Sequence, residues 1–360
     1  MRRDDAPRLA WNSRGSQAAP QPAQLSPVTD PSAAARLIQG DNLGVLTCLA
    51  ADSSLQGQVA LAYLDPPFLT GREHFHVERS KDGGARPRTR TAAFDDRFAN
   101  LAAYLDVLEP RLRAVRELLM PGGSLVLHVD PKTSHYAKII CDELFGLDAF
   151  QSEIIWRYRR WPSKTKNFQR VHDVLLRYVK EPSAEPRWNQ LYEPLAASTL
   201  ATWGNSKQRA VTNDSGRRTR SSKTEEVSLG TPLGDVWEIG IVAPVARERT
   251  GYPTQKPEAL LGRLIESLTL EGDLVLDPYV GSGTTLVSAL TRGRRAIGID
   301  QSQTALDVVR ERLRARELNF VEQTLQPRLR RGAVEPRRAA SSEASRAAEA
   351  RGLSAAVRAG

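Results

Sequence analysis

The chain has 360 residues, 40% of them hydrophobic, enough for the core of one large domain with room for an insertion. A formal charge of +9 favours a polyanionic partner, yet from Arg328 onward eight arginines stand against three glutamates and supply more than half of that excess, so charge alone assigns no function. Two cysteines, Cys48 and Cys141, exclude a disulfide framework and a cysteine zinc site; with no apolar leader after Met1 and no stretch that could cross a bilayer, a cytoplasmic protein without a membrane partner is expected.

Residues 1–33 place Pro7, Pro20, Pro22, Pro27 and Pro31 among Ala, Gln and Ser, a composition that buries too little apolar surface to offset ordering entropy, so a disordered tail is expected. Arg36–Gln39 reads as a short strand, Gly40-Asp41-Asn42 as its turn and Leu43–Leu49 as an apolar helix face. Asp41 suits a cap for that helix. A second strand, Val59-Ala60-Leu61-Ala62, is stopped abruptly by Tyr63-Leu64-Asp65-Pro66-Pro67-Phe68. Pro66 and Pro67 have no N–H for a ladder, and a residue before proline is driven out of the helical region. Asp65 therefore sits in extended backbone at the carboxyl end of a strand, where open α/β sheets bind ligands. Proline carbonyls beside its carboxylate form a cluster of pure acceptors, which suits an exocyclic amino group with two N–H bonds to place.

Arg72–Asp96 is polar, rich in Gly and Arg and aperiodic, and is expected to be a functional or mobile loop. Ala99–Leu119 has helical spacing, Pro121-Gly122-Gly123 turns the chain, and Ser124–Asp130 reads as a strand. Ser134–Phe145 follows as a helix, then Ile154–Trp156 and Asp173–Val179 as strands. Such alternation predicts a doubly wound, mostly parallel α/β sheet. From Arg157 to Arg249 it gives way to a polar, basic insertion that returns to the sheet only near 173–180. Arg157, Arg159, Arg160, Lys164 and Lys166 near Trp156 and Trp161 suit phosphate contact and base stacking, although a solvated face also looks like this.

In the C-terminal third, Thr254-Gln255-Lys256-Pro257 opens a helix, with Pro257 in its first turn and Leu260, Leu261, Leu264, Ile265 and Leu268 on one face. Leu274–Asp277 is a strand, Gly281-Ser282-Gly283-Thr284-Thr285 a glycine-rich turn into a helix, and Arg295–Asp300 the next strand, with Thr304–Arg316 its helix. A strand, a glycine-rich turn, a helix and a strand ending in an acid make half of a nucleotide-binding fold. Leu286 stands where dinucleotide enzymes place a small residue, which disfavours an oxidoreductase. Hydroxyls and free N–H groups at the helix start suit the single carboxylate of S-adenosylmethionine, leaving Asp300 for its ribose hydroxyls.

Asp65-Pro66-Pro67-Phe68 resembles motif IV of the N6-adenine and N4-cytosine DNA methyltransferases. Asp277-Pro278-Tyr279 with Gly281–Thr285 resembles motif I of the β-class amino methyltransferases, and Thr250–Pro257 their motif X. The order of catalytic motif, recognition insertion and cofactor motifs is that of the β class, and the similarity runs from about residue 35 to about 318. Phe68 stands where many members have Tyr, and Tyr279 where Phe is usual.

The resemblance implies a Rossmann-like methyltransferase sheet with a catalytic half at 34–156, a target-recognition insertion at 157–249, a cofactor half at 250–320 and a flexible Arg/Ala-rich tail at 326–360. It implies a site-specific DNA methyltransferase moving a methyl group from S-adenosylmethionine to N6 of a flipped adenine. An N4-cytosine enzyme and a catalytically inactive DNA-binding protein are the alternatives. Asp65, Pro66, Pro67 and Phe68 then carry catalysis, with Phe68 stacking on the base and no metal required. Asp41, Lys256, Asp277, Gly281, Gly283, Thr284, Thr285 and Asp300 then hold the cofactor, Asp41 beside its adenine end. Double-stranded DNA is the implied partner, with a cognate restriction endonuclease and a second copy of the chain as further candidates.

Overall fold

The structure, a computed structural model, describes residues 8–16, 19–77, 90–162, 164, 166–207, 210–220 and 226–328. In chain order its elements begin with β1 (Ala23–Leu25), β2 (Ala35–Gln39), α1 (Asn42–Ala50), β3 (Val59–Leu64), β4 (Glu73–Val77), β5 (Arg90–Asp95), α2 (Leu101–Leu118) and β6 (Leu119–Val129). There follow α3 (Ser134–Phe145), β7 (Phe150–Arg157), β8 (His172–Val179), β9 (Tyr192–Glu193), α4 (Ala197–Trp203), β10 (Ala210–Thr212), β11 (Arg218–Arg220), β12 (Thr231–Pro232) and β13 (Val236–Glu238). The chain ends in α5 (Glu258–Leu268), β14 (Leu274–Asp277), α6 (Thr284–Leu290), β15 (Arg295–Asp300), α7 (Gln303–Arg314) and β16 (Phe320–Pro327).

All six residues of β3 are buried, as a central strand covered on both faces requires. It lies in a ten-stranded sheet of order β1-β16-β2-β15-β14-β3-β6-β8-β7-β13. Pairing is parallel from β16 through β6. β8 runs antiparallel to both β6 and β7, and β13 joins β7 in parallel. Helices α1, α2 and α3 bury their apolar faces on one side of the sheet and α5, α6 and α7 on the other, so the fold is doubly wound. The Leu286 side chain packs on Gly298 of β15, where a Cβ would come within 2.7 Å of it, so a bulky residue on α6 is matched by a missing one on the strand.

Several expectations are corrected. In the described part of residues 1–33, Trp11 Nε1 donates to Asp106 Oδ1 at 2.7 Å, Arg14 pairs with Glu109 at 3.0 Å and Glu143 at 2.8 Å, and β1 closes one edge of the sheet. A few large contacts hold a segment whose average composition predicts disorder. Arg72–Asp96 is not simply a loop: β4 and β5 pair antiparallel, and residues 78–89 lie outside those described. Ala93 and Phe94 of β5 pack with Tyr252, Ala305 and Val308, a tertiary contact invisible to local periodicity. Pro121-Gly122-Gly123 lies within β6 rather than ahead of it, and Pro257 caps α5 rather than entering its first turn. The C-terminal expectation falls on residues that, from 329 onward, lie outside those described.

Candidate active site

Parallel pairing of β15, β14, β3 and β6 brings their carboxyl ends to one edge of the sheet. There Asp65, Asp277 and Asp300 line one cleft of about 310 Å³. Burial pushes the Asp277 carboxyl up to about 7, the nearby Asp65 and Asp300 charges adding to it against hydrogen bonds from Thr285 and the Tyr279 N–H. Asp300 is raised too, again by burial, partly offset by backbone N–H bonds from Ser302 at 2.9 Å and Gly281 at 3.0 Å. The cleft is thus rich in acceptors and favours a ligand that brings donors or positive charge.

Asp65 follows β3 directly. Its Oδ2 accepts from Lys256 Nζ, and its Oδ1 lies 3.5 Å from His128 Nδ1, buried and with no hydrogen-bond partner among the described residues. The Lys256 ammonium also sits 5.1 Å from the centre of the Phe68 ring. Two residues that the sequence assigns to different ligands are therefore brought together. The chain is strained on both sides of them: Leu69 has φ +55° and Thr254 φ +56°, left-handed values that cost about 1–2 kcal/mol for a residue with a Cβ. Asp96 holds the first, accepting from Leu69 N at 2.8 Å, Thr70 N at 3.0 Å and Thr70 Oγ1 at 2.5 Å. Gln255 holds the second, its Oε1 accepting from the Thr250 N–H and hydroxyl at 2.9 Å each.

The other expected cofactor residues distribute as follows. Asp41 caps α1 through Gly44 N at 2.9 Å and pairs with Arg111 at 3.0 Å, while also lining the cleft. Gly281 lines it with φ +47°, where a Cβ would meet the Tyr252 ring at 3.3 Å. Gly283 does not line it; a Cβ there would come within 2.9 Å of Val309. Thr284 and Thr285 reach the cleft, but the Thr284 hydroxyl is occupied by the Lys256 carbonyl and Arg312, both at 3.0 Å.

Arg157, Arg159, Arg160, Lys164 and Lys166 are all exposed, Arg157 at the end of β7 and the others on the connection to β8 that leaves the sheet at the Asp65 edge. None lines the cleft. Arg157 pairs with Glu238, and Arg160 donates to Tyr158 Oη at 3.2 Å. Trp161, 90% exposed, stands among them, whereas Trp156 is buried in the core.

Sequence reasoning missed Asp96 and His128. Asp96 carries no local signal, because its partners lie 26 and 27 residues earlier. His128 did leave a trace: a histidine inside the apolar run Leu125–Val129 needs polar partners in the core. It finds Tyr63 Oη at 2.7 Å from Nδ1 and Asp173 Oδ2 at 3.3 Å from Nε2. Burial alone would raise Asp173, but hydrogen bonds from His128 and Tyr158, with the Lys256 charge, hold it below its ordinary value.

A doubly wound sheet of this kind, with Asp-Pro-Pro-Phe and a glycine-rich turn opening on one cleft, defines a Rossmann-like methyltransferase. The model of the N6/N4 methyltransferase family, described as DNA methylase, matches residues 59–311, and the chain belongs to that family. The type II methyltransferase M.HpaI of Haemophilus parainfluenzae is 27% identical over 72% of this chain and 69% of its own length. The DNA adenine methyltransferase YhdJ of Escherichia coli is 27% identical over 73% of this chain and 77% of its own. A structure of the DNA modification methylase TTHA0409 of Thermus thermophilus with S-adenosylmethionine covers 80% of this chain and 98% of that one, at 22% identity and TM-score 0.47. The protein is a DNA methyltransferase, and its cofactor is S-adenosylmethionine. The cleft fits that group: its buried acids favour a ligand that brings donors or positive charge, and Gly281 leaves open the space that a side chain would fill against Tyr252.

Proposed function

We propose that this protein methylates N6 of adenine at a specific site in duplex DNA, acting on a base turned out of the helix. The observation that carries this reading is Asp65 Oδ1, a buried acceptor with no donor among the described residues, beside two prolines at a strand end. Cytosine N4 offers the same two N–H bonds, and is the second reading. Adenine is favoured because Asp at the first position of this motif is typical of the adenine enzymes, and because YhdJ is named an adenine methyltransferase.

The amino nitrogen of adenine is a poor nucleophile while its lone pair is delocalised into the ring. Asp65 accepts its N–H bonds and favours the tetrahedral nitrogen that forms as positive charge develops, an interaction stronger in the transition state than before it. Phe68 stacks on the base, whose extrusion brings the nitrogen within reach. S-adenosylmethionine supplies an electrophilic methyl on its sulfonium, so displacement needs neither a metal nor a covalent enzyme intermediate. Lys256 and Asp300 serve as its anchors, for the carboxylate and the ribose hydroxyls, with Asp41 near the adenine. The exposed Arg157, Arg159 and Arg160, with Lys164 and Lys166, contact phosphates. Naming of M.HpaI as a type II enzyme favours a cognate restriction endonuclease as a functional partner.

The test is chemical. DNA methylated by the pure protein is digested and its nucleosides separated: N6-methyladenine is expected, and N4-methylcytosine as the sole product would transfer the assignment to the second reading. For the DNA contacts, affinity should fall with salt at a slope near about −0.9 per phosphate. Replacing Arg157, Arg159 and Arg160 with Ala should weaken binding to every sequence and flatten that slope.

A further inference from the structure

Behind Asp65 lies a chain of hydrogen bonds whose direction is fixed from one end. Arg160 can only donate, so its Nη2, 3.2 Å from Tyr158 Oη, leaves the Tyr158 proton to point elsewhere. That proton goes to Asp173 Oδ1 at 2.9 Å. Asp173 is a carboxylate and only accepts, so its Oδ2 takes a proton from His128 Nε2 at 3.3 Å. In a neutral ring His128 Nδ1 is then the acceptor, and Tyr63 Oη at 2.7 Å donates to it. The ring is fully buried, wedged edge-on against Phe68 at 5.3 Å and Trp156 at 5.6 Å between centroids. In that form its Nδ1 faces Asp65 Oδ1 at 3.5 Å without a proton to give, and that oxygen has no donor among the described residues.

We infer that His128, held in its Nε2–H tautomer by Asp173 and Tyr158, is a positioning residue that keeps Asp65 Oδ1 free to accept the amino group of the target base. In the other tautomer Nδ1–H would donate to Tyr63 Oη at 2.7 Å and set the positive end of that N–H 3.5 Å from Asp65 Oδ1, where it draws on the oxygen that the amino group needs. A satisfied core histidine could be held in either tautomer; only one leaves the acceptor open. The inference rests on the amino-methyltransferase reading above.

The test exploits the fixed direction. In Asp173→Asn the amide oxygen still meets the Tyr158 hydroxyl, so the amide N–H₂ faces His128 Nε2 and forces the proton onto Nδ1. Single-turnover methyl transfer at saturating DNA should fall by at least about 10-fold, the scale on which a wrong tautomer or a misplaced group acts. Cofactor affinity should be unchanged. Adding Tyr158→Phe frees the amide to turn its oxygen to His128, so the double variant should be faster than Asp173→Asn alone. A merely structural role predicts the opposite, a double variant slower than either single one. Independently of activity and of how any variant at Asp173 folds, ¹⁵N-histidine NMR of the wild type should show the Nε2–H tautomer for the resonance lost in His128→Gln. An Nδ1–H or doubly protonated ring there, a wild-type rate in Asp173→Asn or a double variant slower still would each overturn the inference. Should the wild type itself transfer no methyl group to DNA, the functional reading fails, while the tautomer measurement still decides the network.

Discussion

Lys256 and Asp65 form an ion pair inside the cleft, at 11% and 17% side-chain exposure. On the proposed reading, an anionic cofactor group that reached Lys256 would compete with Asp65 for it, so filling the cofactor site would release the carboxylate for the base and couple the two events through one lysine.

Lys256→Met should separate these roles. Asp65 loses its cation, and because the pair is partly solvated the stability cost should be about 1 kcal/mol rather than the several found for a sealed pair. Calorimetry should show weaker S-adenosylmethionine binding. Undiminished affinity would remove Lys256 from the cofactor's carboxylate.

Asp65→Ala should abolish methyl transfer while leaving cofactor affinity intact or improved, since Lys256 is no longer held away. Binding and transfer measured on the same preparation distinguish the two. A matched loss of both would put Asp65 among the cofactor's anchors.

Asp96→Ala removes three hydrogen bonds that hold the left-handed Leu69 directly after the Asp-Pro-Pro-Phe turn. A loss of about 2–3 kcal/mol is expected from the three hydrogen bonds to the buried Asp96 carboxylate. Transfer should fall by about 100-fold through displacement of Phe68 and Asp65. Thermal unfolding with single-turnover kinetics measures both, and a stable, fully active variant would show that the turn holds itself.

Asp277 should make stability depend on pH. Its carboxyl titrates near 7 in the fold against 3.8 when free, so between those values the folded state keeps a proton that the unfolded chain has lost. Stability from this group is therefore complete at low pH and declines as pH rises from about 4 to about 7, by a few kcal/mol at most. Asp277→Asn cannot ionise, so its stability relative to wild type should rise across that window. Parallel unfolding curves for the two proteins across that range would refute the assignment.

Deleting residues 1–16 should lower stability by about 1–3 kcal/mol, the usual scale for losing a packed aromatic and its hydrogen bonds. Denaturant midpoints give the answer. An unchanged midpoint would mean that Trp11 and Arg14 rest on the domain without holding it.

The alternation of strands and helices, the halt at Pro66 and Pro67 and the glycine-rich turn before Thr284 were legible in sequence because each is local: a missing N–H, a left-handed backbone, an apolar face at helical spacing. They were sufficient to predict a doubly wound sheet with Asp65, Asp277 and Asp300 at strand ends, and parallel pairing then carries those ends to one edge. Only the tertiary structure decided which groups meet there. Lys256 lies 191 residues from Asp65, and His128 lies 45 from Asp173 and 65 from Tyr63, so no spacing rule links them. It also decided that the proline-rich start is packed and that Arg72–Asp96 contains two paired strands, since those segments are held by partners elsewhere in the chain. Local sequence sets what each segment can be; burial beside particular neighbours sets what a carboxylate or an imidazole can do.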